Sequence, residues 1–226
     1  MNTRPESITH AMEDYLKIIY KLQEAGEKVT TQAIAERLNV QSPSVTNMVK
    51  RLADLHMVEH TPYRGVALTG AGARAALEVV RHHRLLELYL ADALGYSWDE
   101  VHDEAERLEH SISEEFEARI DRALGYPTTD PHGDPIPTAD GRVETVSVLR
   151  LADLVAGQEA TVERVRDTDP EKLRYLGTLG LYPSVQVAVL ERFPFNGPLR
   201  ITVDGCEHIL GWDLASDVQV GLAEDD

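Results

Sequence analysis

The sequence predicts a mainly α-helical chain with a C-terminal all-β domain. Three observations carry this. Apolar residues recur at helical spacing through residues 7–124, a stretch rich in Pro, Gly and Asp follows at 126–142, and beyond Val143 the apolar runs shorten to strand length between Gly/Pro turns. A length of 226 residues fits two or three small domains, and a 42% hydrophobic fraction is enough to build their cores. The expected boundaries are 1–74, 75–142 (helices and linker) and 143–226.

In order along the chain, Ile8, Met12, Tyr15, Ile18, Ile19 and Leu22 fall on one side of a first helix, which Ala25-Gly26 ends. Thr30 caps a short helix to Leu38. Ser42-Pro43 opens the next, with Ser42 as N-cap and Pro43 at the first helical position, running to about Leu55. Two β-type runs, 57–60 and 65–68, are joined by a turn at Pro62-Tyr63-Arg64. Thr69 then starts a long helix to about Ala93, and Gly95 breaks the chain. Ser97-Trp98-Asp99-Glu100 reads as a capping box for a helix to about His110, and Ser113 caps its successor, which ends at Leu124-Gly125. The strand-like runs 160–165, 185–190, 199–203 and 217–220, with a helical turn or two at 170–176, suit a small β-barrel.

Residues 31–52 carry the packing signature of a helix-turn-helix. Ala35 is small where two helices cross, Asn39-Val40-Gln41 makes the turn, and Val45, Val49 and Leu52 face inward. Such a unit lays its second helix in the major groove of double-stranded DNA. Its outward residues are Ser42, Pro43, Ser44, Thr46, Asn47, Lys50 and Arg51, with Gln41 just before them. Asn and Gln suit adenine edges, and Ser, Thr, Lys and Arg suit phosphate. The β-hairpin that follows, with Arg64 at its tip, reads as a wing.

The net charge of −17 opposes nucleic-acid binding only until it is divided. Residues 1–74 hold nine Lys/Arg against eight Asp/Glu, so the acid lies downstream, where it can supply hard oxygen ligands or solvated surface. The start, Met1 to Glu6, has no leader-like apolar run, and no run approaches the ~18 residues of a membrane span. No membrane partner is therefore expected. A single cysteine, Cys206, excludes an internal disulfide framework and suits a reducing cytoplasm.

The sharpest chemistry is His102-Asp103-Glu104-Ala105-Glu106-Arg107-Leu108-Glu109-His110. Offsets 0, 4, 7 and 8 place His102, Glu106, Glu109 and His110 in one stripe, where an amphipathic helix would carry leucines. A divalent cation would neutralise that cost. His83 and Glu87 add an i,i+4 pair, though such a pair alone is more often a surface ion pair. Carboxylate and imidazole without thiolate favour Mn2+ or Fe2+ over a Cys-rich zinc site. No nucleophile elbow, phosphate loop or triad accompanies these groups, so neither catalysis nor a small-molecule substrate is expected. His10, His56 and His82 show no partner pattern.

Taken together, these residues resemble the diphtheria-toxin-repressor family of iron- and manganese-dependent transcriptional regulators. The resemblance runs through Glu13-Asp14-Tyr15-Leu16-Lys17-Ile18-Ile19-Tyr20, Ile34-Ala35-Glu36-Arg37-Leu38, Ser42-Pro43-Ser44-Val45-Thr46, His83-Arg84-Leu85-Leu86-Glu87, Val101-His102-Asp103-Glu104-Ala105-Glu106, Glu109-His110 and His132-Gly133-Asp134-Pro135-Ile136-Pro137. It implies a winged helix-turn-helix, a helical dimerisation domain that carries the metals, and a Src-homology-like β-barrel. It also implies a homodimer and about two ions per subunit. The primary site would use Asp14, Glu106, Glu109 and His110. The ancillary site would use His83, Glu87 and His102, with Asp169 and then Glu171 from the barrel. Iron-type members carry Met and Cys where this chain has Asp14 and Glu106, so the primary site resembles the manganese branch. Compact manganese regulators carry a glutamate where this chain has Lys17, and they lack the third domain. The function implied is a metal-activated DNA-binding regulator, most simply a repressor, of metal homeostasis. A metal-independent winged-helix regulator and a metallohydrolase are the competing readings.

Overall fold

The computed structural model describes residues 8–61, 65–143, 149–166 and 169–222. These divide into two compact units: one of residues up to His82 together with Pro137–Arg142, the other of His83–Ile136 together with the chain from Val143 onward.

The first unit begins with α1 (His10–Glu24), whose buried face is Met12, Tyr15, Leu16, Lys17, Ile19 and Leu22. Thr30 caps α2 (Thr31–Arg37) by accepting from the Ala33 N–H at 3.0 Å. In α3 (Ser42–Asp54) the cap falls on Gln41 rather than on Ser42: Gln41 is extended and its carbonyl accepts from the Ser44 N–H at 2.9 Å. Pro43 sits in the first turn, where its missing N–H costs nothing. Ala35, Val45, Val49 and Leu52 are all buried in one core with Ile34 and the apolar face of α1. Strands β1 (Val58–Thr61) and β2 (Gly65–Leu68) pair antiparallel as the wing. Its tip, including Arg64, lies outside the described residues. Gly65, at φ +107°, lets β2 approach the Val29 carbonyl, where a Cβ would lie 2.3 Å away.

Helix α4 (Gly70–Leu94) passes from the first unit into the second. In the second unit its C-terminal half packs Leu85, Leu86 and Leu90 with Val101 and Ala105 of α5 (Val101–Leu108) and Ile120 of α6 (Glu114–Ala123). Ser113 caps α6 through the Phe116 N–H at 3.2 Å. Residues 126–142 form no helix or strand longer than a single bridge, yet 132–137 are buried throughout.

The β domain contains β3 (Glu159–Val165), α7 (Pro170–Thr178), β4 (Gln186–Arg192), β5 (Leu199–Val203), β6 (Cys206–Leu210), a short α8 (Trp212–Ser216) and β7 (Val218–Leu222). The strands form one antiparallel sheet in the order β6-β5-β4-β3-β7. Among the described residues β6 and β7 end this sheet, Arg150 adding a single bridge to Gln219 of β7, and the barrel does not close. Alternation puts Ala160, Val162, Val187, Val189, Leu199, Ile201, Val203, Val218 and Val220 on the core face. β6 and α8 escaped the sequence reading, because β6 buries only Leu210 and shows almost no alternation.

Candidate metal centre

The outward side of α3 is as the helix-turn-helix reading requires. Ser42, Pro43, Ser44, Asn47, Lys50 and Arg51 are exposed, as is Gln41. Thr46 is half-buried, and its hydroxyl donates back to the Ser42 carbonyl at 3.1 Å.

Along α5 and its C-cap the enclosed ridge is Val101, Ala105 and Glu109, which shares only Glu109 with the stripe read in the sequence. His102 and His110 flank it half-buried and Glu106 is exposed. Helix α5 stops at Leu108, so Glu109 occupies its C-cap and turns a fully enclosed carboxylate toward α4. There Glu109 Oε2 meets His83 Nδ1 at 2.6 Å, with Glu106 Oε2 at 3.6 Å from the same nitrogen. The other ring nitrogen, His83 Nε2, lies 2.9 Å from Glu87 Oε1 and 3.1 Å from His102 Nδ1, and that His102 nitrogen is also 3.1 Å from Glu87 Oε1.

This arrangement needs positive charge. A neutral imidazole has one N–H, yet His83 stands between two buried carboxylates at hydrogen-bond distance from each. Burial alone would raise the Glu87 carboxyl. The charge of His83, hydrogen bonds from His102 and His83, and the charge of His132 outweigh burial and hold it well below the usual carboxylate range. Glu87 Oε1, His83 Nε2 and His102 Nδ1 are separated by 2.9–3.1 Å. That is the donor spacing of an ion bonded to neighbouring ligands at about 2.1 Å.

The second oxygen of Glu87 faces a different set. Glu87 Oε2 and His132 Nδ1 are enclosed, lie 3.9 Å apart and have no hydrogen-bond partner among the described residues. A bridging water would hold its partners about 4.5 Å apart at hydrogen-bond length, whereas a cation bonded at about 2.1 Å spans roughly 3.0–4.2 Å. His132 Nε2 donates to the Trp98 carbonyl at 2.7 Å, so once the ring gives up its other proton in favour of a cation it is the Nδ1 lone pair that faces Glu87. Asp130 completes the group, its ligand atom within 4.8 Å of theirs. Asp130 Oδ1 accepts from the backbone N–H groups of His132 and Asp134, at 2.8 and 2.9 Å. Burial first, then the charges of Asp134 and Glu87, push the Asp130 carboxyl well above its usual range, with Arg84 offsetting part. Two buried carboxylates, Glu87 and Asp130, thus share one imidazole, and the donors present fit a divalent cation.

The sequence reading did not single out Asp130 and His132 as ligands, because Pro, Gly and Asp mark 126–142 as a linker. The available signal was a histidine between two aspartates within five residues. Of the other expected ligands, Asp14 lies half-buried on α1 of the first unit. Asp169 caps α7, its Oδ1 accepting from the Glu171 and Lys172 N–H groups, and Glu171 is exposed. Neither Asp169 nor Glu171 joins a donor group among the described residues.

A winged DNA reader carried in one chain with a buried carboxylate–imidazole centre defines a metal-responsive DNA-binding regulator. Comparison with known proteins agrees. The model of the iron dependent repressor N-terminal DNA binding domain matches residues 7–66, that of the iron dependent repressor metal binding and dimerisation domain matches 69–138, and that of the FeoA domain matches 149–221. The chain is 35% identical to the iron-dependent repressor IdeR of Mycobacterium leprae, over 92% of this chain and 95% of that one. It is 33% identical to the diphtheria toxin repressor of Corynebacterium efficiens, over 95% and 96%. A solved manganese-dependent transcriptional repressor in complex with manganese superposes with a TM-score of 0.87 at 43% identity, covering 94% of this chain and all of that one. The chain belongs to the iron-dependent repressor family: it is a metal-dependent transcriptional repressor of metal homeostasis, and not an enzyme.

Proposed function

We propose that the chain acts in the cytoplasm as a homodimer that binds operator DNA when Mn2+, or Fe2+ in second place, fills two sites in each subunit. Residues 1–74 read DNA through Gln41, Ser42, Pro43, Ser44, Thr46, Asn47, Lys50, Arg51 and Arg64. Residues 75–142 carry the metals and the dimer contact, and 143–226 support them. Asp14, Glu106, Glu109 and His110 would hold the first ion, an oxygen-and-imidazole set that favours manganese. The second would centre on Glu87, with His83 and His102 on Oε1 and Asp130 and His132 at Oε2. Asp169 and Glu171 remain candidates for completing its shell, Asp169 through the oxygen not committed to capping.

Bound, each ion supplies the positive charge that the buried carboxylates need. An ion held by the first ligand set would tie α1 to the residues that end α5. Two recognition helices can then be held at the spacing of half-sites about one helical turn, or a multiple of it, apart. Cation binding that favours this arrangement shifts the population toward the DNA-binding form.

The observation that carries the reading is His83 standing between the enclosed carboxylates of Glu87 and Glu109. The test is DNA affinity by fluorescence anisotropy under anaerobic conditions, with Mn2+, Fe2+ or EDTA, on DNA enriched from a random pool. Asp14→Ala and Glu106→Ala should abolish the metal-dependent gain. Unchanged metal dependence in both would sink the proposal and favour a metal-independent regulator.

A further inference from the structure

The segment that carries Asp130 and His132 has no regular structure of its own, and a buried irregular segment must find partners for its hydrogen bonds. Most of these it makes within itself, as where the Asp130 N–H donates to the Asp134 carbonyl, and one comes from β3, more than 25 residues downstream. The Val165 N–H donates to the His132 carbonyl at 2.8 Å. Gly133 has φ +87°, and a Cβ there would lie 2.0 Å from the Glu163 carbonyl oxygen and 2.9 Å from Arg164 Cα. Only a glycine lets the strand come this close. At the same point β3 is bulged against β7, between Val162 and Arg164. Bulges re-aim side chains. Here the Arg164 guanidinium reaches Asp134 Oδ1 at 2.5 Å, and Arg84 of α4 meets the same oxygen at 3.0 Å while donating to the Pro135 carbonyl at 2.6 Å. Asp134 is therefore clamped between the helical layer and the β domain. Its N–H, with that of His132, fixes Asp130 Oδ1.

We propose that Arg164, set by the β3 bulge, is a positioning residue for the second cation: through Asp134 and the His132 carbonyl, β3 holds Asp130 and His132 onto Glu87 without Arg164 donating a ligand atom. The inference rests on the second site proposed above and assigns the β domain a part in setting its affinity.

Electrostatics and positioning predict opposite signs for one substitution. Arg164→Gln removes a cation near the site, which by charge alone tightens Mn2+ binding. If Arg164 positions the ligands, binding weakens instead, by the 10- to 100-fold typical of lost outer-shell partners. The experiment is a Mn2+ titration of the full chain, followed by the electron paramagnetic resonance signal of free Mn2+. Wild type should show two classes of site. In Arg164→Gln one class should weaken at least tenfold with the other unmoved, and Arg164→Lys should recover much of the loss. Melting in EDTA should match wild type, which separates lost positioning from a failure to fold. Unchanged or tighter binding in Arg164→Gln, with two classes in wild type, overturns the role of Arg164 alone. A single class in wild type overturns the second site itself.

Discussion

His83 has both ring nitrogens engaged, Nδ1 toward Glu109 and Nε2 toward Glu87. Replacing it with alanine leaves two enclosed carboxylates without the group they share. Removing one partner of a buried pair costs about 3–5 kcal/mol, so His83→Ala should melt well below wild type in EDTA. Asp130 gives a pH signature. Its carboxyl is raised by burial and by Asp134 and Glu87, so the metal-free folded state keeps a proton that the unfolded chain releases near pH ~3.9. The folded state then binds more protons across that window, and the contribution of Asp130 to stability falls as pH rises from the unfolded value to the raised one. Asp130→Asn keeps the acceptor for the His132 and Asp134 N–H groups and cannot titrate. Its denaturant midpoint in EDTA should lack that part of the decline seen in wild type. An identical slope in the two proteins would show that Asp130 does not titrate in this way.

At the level of elements, α2 and α3 cross at Ala35, which is 7% exposed against Val45 and Val49. Ala35→Leu overpacks that crossing and should cost about 1–3 kcal/mol, seen as an earlier thermal transition. This part of the fold was legible because helical periodicity, a turn and a small residue are all local signals. The stripe His102, Glu106, Glu109 and His110 was legible in composition, but of its four residues only Glu109 is fully enclosed. Periodicity ranks faces by polarity, and on α5 the enclosed ridge itself ends in a carboxylate, Glu109. The 130–137 stretch was illegible as a buried wall. Pro and Gly state only that a segment is irregular, and what packs on it, β3 together with Arg84 and Trp98, lies beyond any local window. β6 was missed for a related reason: as an edge strand with one buried side chain, it has no pattern to show.

For the molecule as a whole, the near-neutral charge of the first 74 residues suits phosphate contact and the acidic remainder suits cation capture. Cation binding should act on global stability by linkage. At free Mn2+ about 100-fold above its dissociation constant, one site adds about 2.7 kcal/mol, so the melting temperature should climb with Mn2+ and fall back with EDTA. A melting curve indifferent to Mn2+ would contradict that linkage.

The close seating of Gly133 against Glu163 and Arg164 bears on how such a chain can be rebuilt. The glycine and the kinked strand are separate in sequence but fit as lock to key. A chimera that exchanges only the C-terminal module would import a strand cut for another loop. Recombination within the family should therefore tolerate breakpoints that move the 130–137 loop and β3 together, and penalise those that separate them.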